Sequence, residues 1–194
     1  MFSLSPVSQQ QIAEIDLATV NGKDYSSELT NFEVSADLTQ AIAVSLGFSE
    51  SRTDLWAGFN VQTPAPGKGC GGLLFEASPL GYWNLEHVDS CAYITVIRAG
   101  TFAPPAPSFG YGDSSTVTMQ IKVTVQNGLL TGWVGGKRMV SISDTFVSSP
   151  TLPSVVGLVT QYRTNSNPSP TRFTHFRLSL GRCKDIVLDC ASVQ

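Results

Sequence analysis

The chain has 194 residues, of which 14% are charged and 42% hydrophobic, with a formal net charge of -3. That length suits one domain with a substantial core. Weak acidity without a basic cluster makes the chain poorly suited to polyanions, because nucleic-acid affinity rests on Lys and Arg displacing counterions. No apolar run approaches the ~20 residues that a membrane span needs.

In chain order, the first thirty residues are the least regular. The start, MFSLSPVSQQQ, has neither a basic n-region nor an apolar h-region, so no signal peptide is visible. Ser8 is placed to cap a short helix through Gln9–Leu17 that Asn21-Gly22 would end, and a strand is the alternative. The expected organisation is therefore an N-terminal segment, 1–30, with a short helix packing on a sandwich domain, 31–194.

From Phe32 onward the signals are those of strands. FEVSADL alternates Phe32, Val34, Ala36 and Leu38 with Glu33, Ser35 and Asp37. AIAVSLGF, 41–48, is a more continuous apolar run, as a strand covered on both faces would be. DLWAGFNVQ alternates again. TPAPGKGCGG, 63–72, is a loop by its Pro and Gly content, and it lacks the residues of a phosphate-binding loop. GLLFEA and GYWNLEHV form a pair of strands about a turn at Pro79–Gly81, and AYITVIRAG is the next strand. FAPPAPSFGYGDSS, 102–115, is a long loop, and long loops in compact domains are usually functional or mobile.

The clearest local signal is VTMQIKVTVQNGLLTGWVGGKRMVSI, 117–142. Val117, Met119, Ile121, Val123 and Val125 alternate with polar residues, and Asn127-Gly128 is the pair best suited to a type I′ turn. Such a turn sets Gln126 opposite Leu129, Val125 opposite Leu130, Val123 opposite Gly132 and Ile121 opposite Val134. Gly135-Gly136 offers a second reversal before Lys137–Ser143. SVVGLVTQY and FTHFRLSL complete the series. About eleven strands with almost no helix indicate a two-sheet antiparallel sandwich in preference to a closed barrel.

These segments resemble, in order, the strands of concanavalin A-like sandwiches, the jelly-roll domains of legume-type lectins, laminin G-like domains, pentraxins and several glycosidases. The resemblance is carried by LTNFEVSADLT, AIAVSLGFSESRTDLWAGFNVQ and the 117–142 hairpins ending in Gly-Gly. Asp144, Gly157-Leu158 and the closing Phe173-x-x-Phe176-Arg177-Leu178 add to it. It covers roughly residues 30 to 180 and implies a fold, not an activity. Glycosidases of this fold that cleave β-glucans carry a Glu-x-Asp-x-x-Glu strand. The nearest run here, Glu86-His87-Val88-Asp89, lacks it.

Strand alternation yields one candidate site. If Leu55/Phe59, Leu73/Phe75 and Trp83/Leu85 face the core, then Trp56, Asn60, Glu76, Tyr82, Asn84 and Glu86 share the opposite face. Aromatic rings beside carboxylates and amides suit a sugar, which stacks its C–H face while its hydroxyls hydrogen-bond. A solvated or covered sheet face is the bland alternative. Glu76 and Glu86 also invite comparison with the acid/base pair of glycoside hydrolysis. No nucleophile elbow accompanies His87 or His175, so each is expected to be a strand residue with a local hydrogen bond. Trp133 would stand across from Lys122, and a simple reversal at Gly135-Gly136 would bring Val140 and Ile142 to its side and pack it.

No cofactor is called for. Asp113 and Asp144 raise calcium only, without the spaced acidic cluster of a dedicated loop. Cys70, Cys91, Cys183 and Cys190 allow three pairings, of which Cys70–Cys91 with Cys183–Cys190 closes the shortest loops. Oxidised cysteines would suit the expected extracellular or particle-surface location, and reduced thiols are the alternative. The expected function is a non-catalytic module binding a glycan or another surface ligand. The alternative is a self-assembling structural subunit of a coat, fibre or shell, which would form a homo-oligomer, and a glycan-active hydrolase comes third.

Overall fold

The structure is a computed structural model that describes residues 2–4, 12–16, 19–20, 23–24, 31–43, 55–61, 72–90, 93–106, 108–109, 114–143, 156–162, 171–180 and 184–187. Every regular element among the described residues is a strand. The first four are β1 (Phe2–Leu4), β2 (Ile12–Asp16), β3 (Thr19–Val20) and β4 (Lys23–Asp24), followed by β5 (Phe32–Ala43). A meander comes next: β6 (Leu55–Val61), β7 (Gly72–Ala77), β8 (Tyr82–Ser90) and β9 (Tyr93–Thr101). Then come β10 (Ser108–Phe109), β11 (Ser114–Gln126), β12 (Leu129–Val134) and β13 (Lys137–Ser143). The chain closes with β14 (Val156–Tyr162), β15 (Thr171–Leu180) and β16 (Lys184–Val187).

Two antiparallel sheets account for all but one pair of these strands. The larger sheet runs β1-β15-β5-β11-β12-β13, with β10 beside β11 and β16 beside β15. The smaller runs β2-β14-β6-β7-β8-β9, and β3 pairs only with β4. The sequence therefore crosses repeatedly from one sheet to the other, as expected of a sandwich with long-range pairing.

The inward rows are those that alternation identifies. On the larger sheet, Phe32, Val34, Ala36 and Leu38 lie beside Val125, Val123, Ile121 and Met119 of β11. From the smaller sheet come Leu73, Phe75, Trp83, Leu85 and Leu158. Strand β7 is buried along its whole length, as befits a central strand covered on both faces. Leu74 and Val159 form a separate buried cluster. By alternation they lie on the side of the smaller sheet that faces away from the main core.

The hairpin at Asn127-Gly128 has the expected register, with Gln126 opposite Leu129, Val125 opposite Leu130, Val123 opposite Gly132 and Ile121 opposite Val134. Asn127 has φ 51° and Gly128 φ 75°, the left-handed pair that a type I′ turn requires. Asn31 supports the turn by accepting a 2.7 Å hydrogen bond from the Asn127 amide.

Three expectations are corrected. The helix over Gln9–Leu17 does not form at Ile12–Asp16, which is a strand paired with β14. Phe2–Leu4 likewise pairs with β15. The described parts of the 1–30 segment thus supply a strand to each sheet, and tertiary pairing overrides the local helical spacing. Secondly, Ala41–Ala43 continue β5 instead of opening a new strand, while 44–48 lie outside the described residues.

The third concerns Trp133. A bulge between Gly132 and Trp133 sets Gly132 opposite Val140 and Trp133 opposite Arg138. It returns Val140 and Ile142 to the core, against which both pack. Trp133 stays on the outer side, where the Lys122 ammonium lies 5.0 Å from its ring centroid. The same ammonium is 3.4 Å from Glu33 Oε2, so the ring is a surface partner for a lysine.

Candidate ligand-binding face

The six candidate residues lie on three adjacent strands of the smaller sheet. Register sets Gly58 opposite Glu76 and Asn60 opposite Leu74 between β6 and β7. Between β7 and β8, Leu74 faces Glu86 and Glu76 faces Asn84. Because directly paired residues share a face, Glu76, Asn84 and Glu86 lie on one face of the sheet with Leu74, and Tyr82 continues that face by alternation. The side chains of Trp56 and Asn60 lie outside the described residues. Strand β6 carries Trp56 opposite Gln161 of β14.

The structure brings the row together but does not leave it open. Glu76 and Glu86 are fully buried, and Asn84 is 2% exposed. For these three the covered-face alternative holds: alternation reports which face a side chain takes, and what covers that face is a separate matter. The Asn84 Nδ2 donates a 2.8 Å hydrogen bond to Glu86 Oε1. That bond satisfies one carboxylate oxygen in surroundings where an unmatched one would be costly. Glu76 and Glu86 are diagonal neighbours across the β7–β8 ladder, about 7 Å apart at Cβ. Both carboxylates are fully buried, so neither has a surface that a substrate reaches.

Tyr82 differs from them. It is 45% exposed, whereas Trp83, one residue on, is 8% exposed and belongs to the core. The turn before it is tightly built. The Gly81 amide donates to Ser78 O at 3.0 Å, and the Ser78 amide to Tyr82 O at 2.8 Å. Gly81 has φ 87°, and the Phe102 amide donates to its carbonyl at 2.8 Å. A Cβ on Gly81 would lie 2.6 Å from Phe102 O and 2.9 Å from Pro104 Cδ. Only glycine permits the loop after β9 to close on the turn this way.

Beyond Tyr82 the face continues onto β9, a row that sequence reasoning does not isolate. Thr101, Ala99 and Val96 pair with Tyr82, Asn84 and Glu86 across a bulge between Leu85 and Glu86, and all three are exposed. The bulge moves Val96 to the outer side while Ile97 packs on the core. A uniform alternation through AYITVIRAG would miss this shift.

Of the other candidates, His175 donates from Nδ1 to Asp37 Oδ2 at 2.8 Å, the hydrogen bond expected of a strand histidine. His87 is a partly buried strand residue of β8. Asp113, Asp144 and the four cysteines lie outside the described residues. Among the described residues no group of three or more His, Cys, Asp or Glu is placed to hold a metal.

No family model and no curated protein matches the sequence. Solved structures do match in fold. The carbohydrate-binding module CBM66 from Bacillus subtilis superposes with a TM-score of 0.53 at 9% identity, covering 91% of this chain and 90% of that one. The fold is a concanavalin A-like jelly roll. The potassium-bound carbohydrate recognition domain of Emp46p gives a TM-score of 0.56 at 13% identity, over 91% of this chain and 81% of that one. The Aspergillus kawachii β-fructofuranosidase complexed with glycerol gives 0.56 at 12% identity, over 93% of this chain and 27% of the enzyme. At these identities the likeness establishes the jelly roll and leaves function to the residues of the site.

Proposed function

We propose that the protein is a non-catalytic carbohydrate-binding sandwich that uses the outer face of its smaller sheet. The observation that carries this reading is the contrast along β8. Tyr82 presents a half-open aromatic ring on the same face as a buried Asn84–Glu86 pair, so the face combines a stacking surface with a rigid polar foundation. Fold neighbours named as a carbohydrate-binding module and a carbohydrate recognition domain support it. Burial of Glu76 and Glu86 favours binding over hydrolysis, since an acid/base pair must reach the glycosidic oxygen. The reading requires no cofactor.

The test is a glycan array probed with the full chain, followed by calorimetry on the hits. Saturable binding to defined glycans is expected. An array without signal, together with a defined oligomer in light scattering, would replace this reading with that of a self-assembling structural subunit.

A further inference from the structure

We infer that the ligand lies along the β8–β9 rim of the smaller sheet, and that it is an extended, uncharged glycan chain. This rests on the carbohydrate-binding reading above and specifies where and what the site binds. Among the described residues, three large hydrophobic side chains are prominently exposed, and two of them, Tyr82 at 45% and Val96 at 52%, stand on this one face. Thr101 and Ala99 lie between them in register. The row from Tyr82 to Val96 follows four residues of β8, about 13 Å, which suits several linked sugar rings better than one.

Its chemistry is neutral. Tyr82, Val96, Ala99 and Thr101 carry no charge, and neither do the exposed loop residues Ala103–Ala106 beside Tyr82. The nearest cation along β9 is Arg98, whose Nη1 donates a 2.9 Å hydrogen bond to the Ile97 carbonyl. The carboxylates of this face, Glu76 and Glu86, are fully buried and present no charge to solvent. Among the described residues of this face a uronic or sialic acid finds no cationic partner, whereas the C–H faces of neutral sugars match Tyr82 and Val96.

The rim is also preorganised. The hydrogen bonds from Ser78, Gly81 and Phe102 fix the backbone at Tyr82 on both sides, and Phe102 is anchored on the core. The ring is therefore displayed from a rigid turn, which lowers the ordering cost of binding.

Calorimetry with neutral gluco-, xylo- and fructo-oligosaccharides of increasing length, and with oligogalacturonides as the charged series, tests this. Affinity should rise with chain length in a neutral series and level off once the chain spans the strip, with the charged series weaker throughout. Tyr82→Ala should weaken binding about tenfold or more with an unchanged circular dichroism spectrum. Val96→Asp should weaken the longer oligosaccharides selectively. If binding persists undiminished in Tyr82→Ala and Val96→Asp, the rim placement fails while the carbohydrate reading stands. Preference for the charged series, or single sugars binding as tightly as chains, overturns the extended neutral ligand. If no oligosaccharide binds the wild type, both readings fall together.

Discussion

Phe75 of the smaller sheet seats its ring directly over Gly132 of the larger one. A Cβ on Gly132 would lie 2.5 Å from Phe75 Cε2, 2.6 Å from Cζ and 2.8 Å from Cδ2. Both residues are buried, and the Phe75 ring also meets Trp83 with centroids 6.3 Å apart. The two sheets thus interlock where a glycine on one admits an aromatic ring from the other, as close packing of an interior demands.

This contact sets a sign for mutation. Gly132→Ala should destabilise by about 1–3 kcal/mol through overpacking, despite the gain in strand propensity. In a Phe75→Leu background the same substitution should cost less, because the ring no longer occupies the space. Urea denaturation of the four proteins of this cycle measures the coupling. Additive effects would show that the ring and the glycine are independent.

The central turn makes a second prediction. Gly128 sits at φ 75°, where a β-branched side chain is strained, so Gly128→Val should cost about 1–2 kcal/mol. Gly128→Asn should cost less, since Asn tolerates the left-handed region. Thermal melts of both variants would decide, and a Val variant melting like wild type would contradict the turn geometry.

His175 provides a third. Phe173 and Phe176 both face the core although three residues apart, which alternation alone forbids. A bulge between Thr174 and Arg177 absorbs the extra residue, with His175 at φ 50°. His175→Asn should therefore be nearly neutral, losing only an exposed contact with Asp37, whereas His175→Val should cost about 1–2 kcal/mol more. Chemical denaturation distinguishes them, and equal stabilities would rule out a strained bulge.

A fourth compares neighbours on β8. Tyr82→Ala should leave the melting temperature nearly unchanged, while Trp83→Ala should cost on the order of 3–5 kcal/mol. Trp83 fills core volume and also rests over Gly100, where a Cβ would lie 2.7 Å from the indole Nε1. Calorimetric melts of the two variants are the measurement. If Tyr82→Ala proved as damaging as Trp83→Ala, the Tyr82 face would be packed and the glycan reading would lose its aromatic platform.

Local pattern alone determined the sandwich class, the inward rows of β5 and β11, the Asn127-Gly128 hairpin with its register, and the opposite faces of Tyr82 and Trp83. Each follows from period-2 alternation or from turn chemistry, which act over a few residues. Tertiary structure decided the rest. A one-residue bulge inverts the facing of everything beyond it, and three such irregularities placed Val140 and Ile142 in the core, Phe176 beside Phe173, and Val96 on the outer rim. The strand at Ile12–Asp16 exists because β14 offers it a partner some 140 residues away in sequence. The closure over Glu76, Asn84 and Glu86 was equally out of reach, because alternation assigns a face and only the packed chain decides whether water touches it.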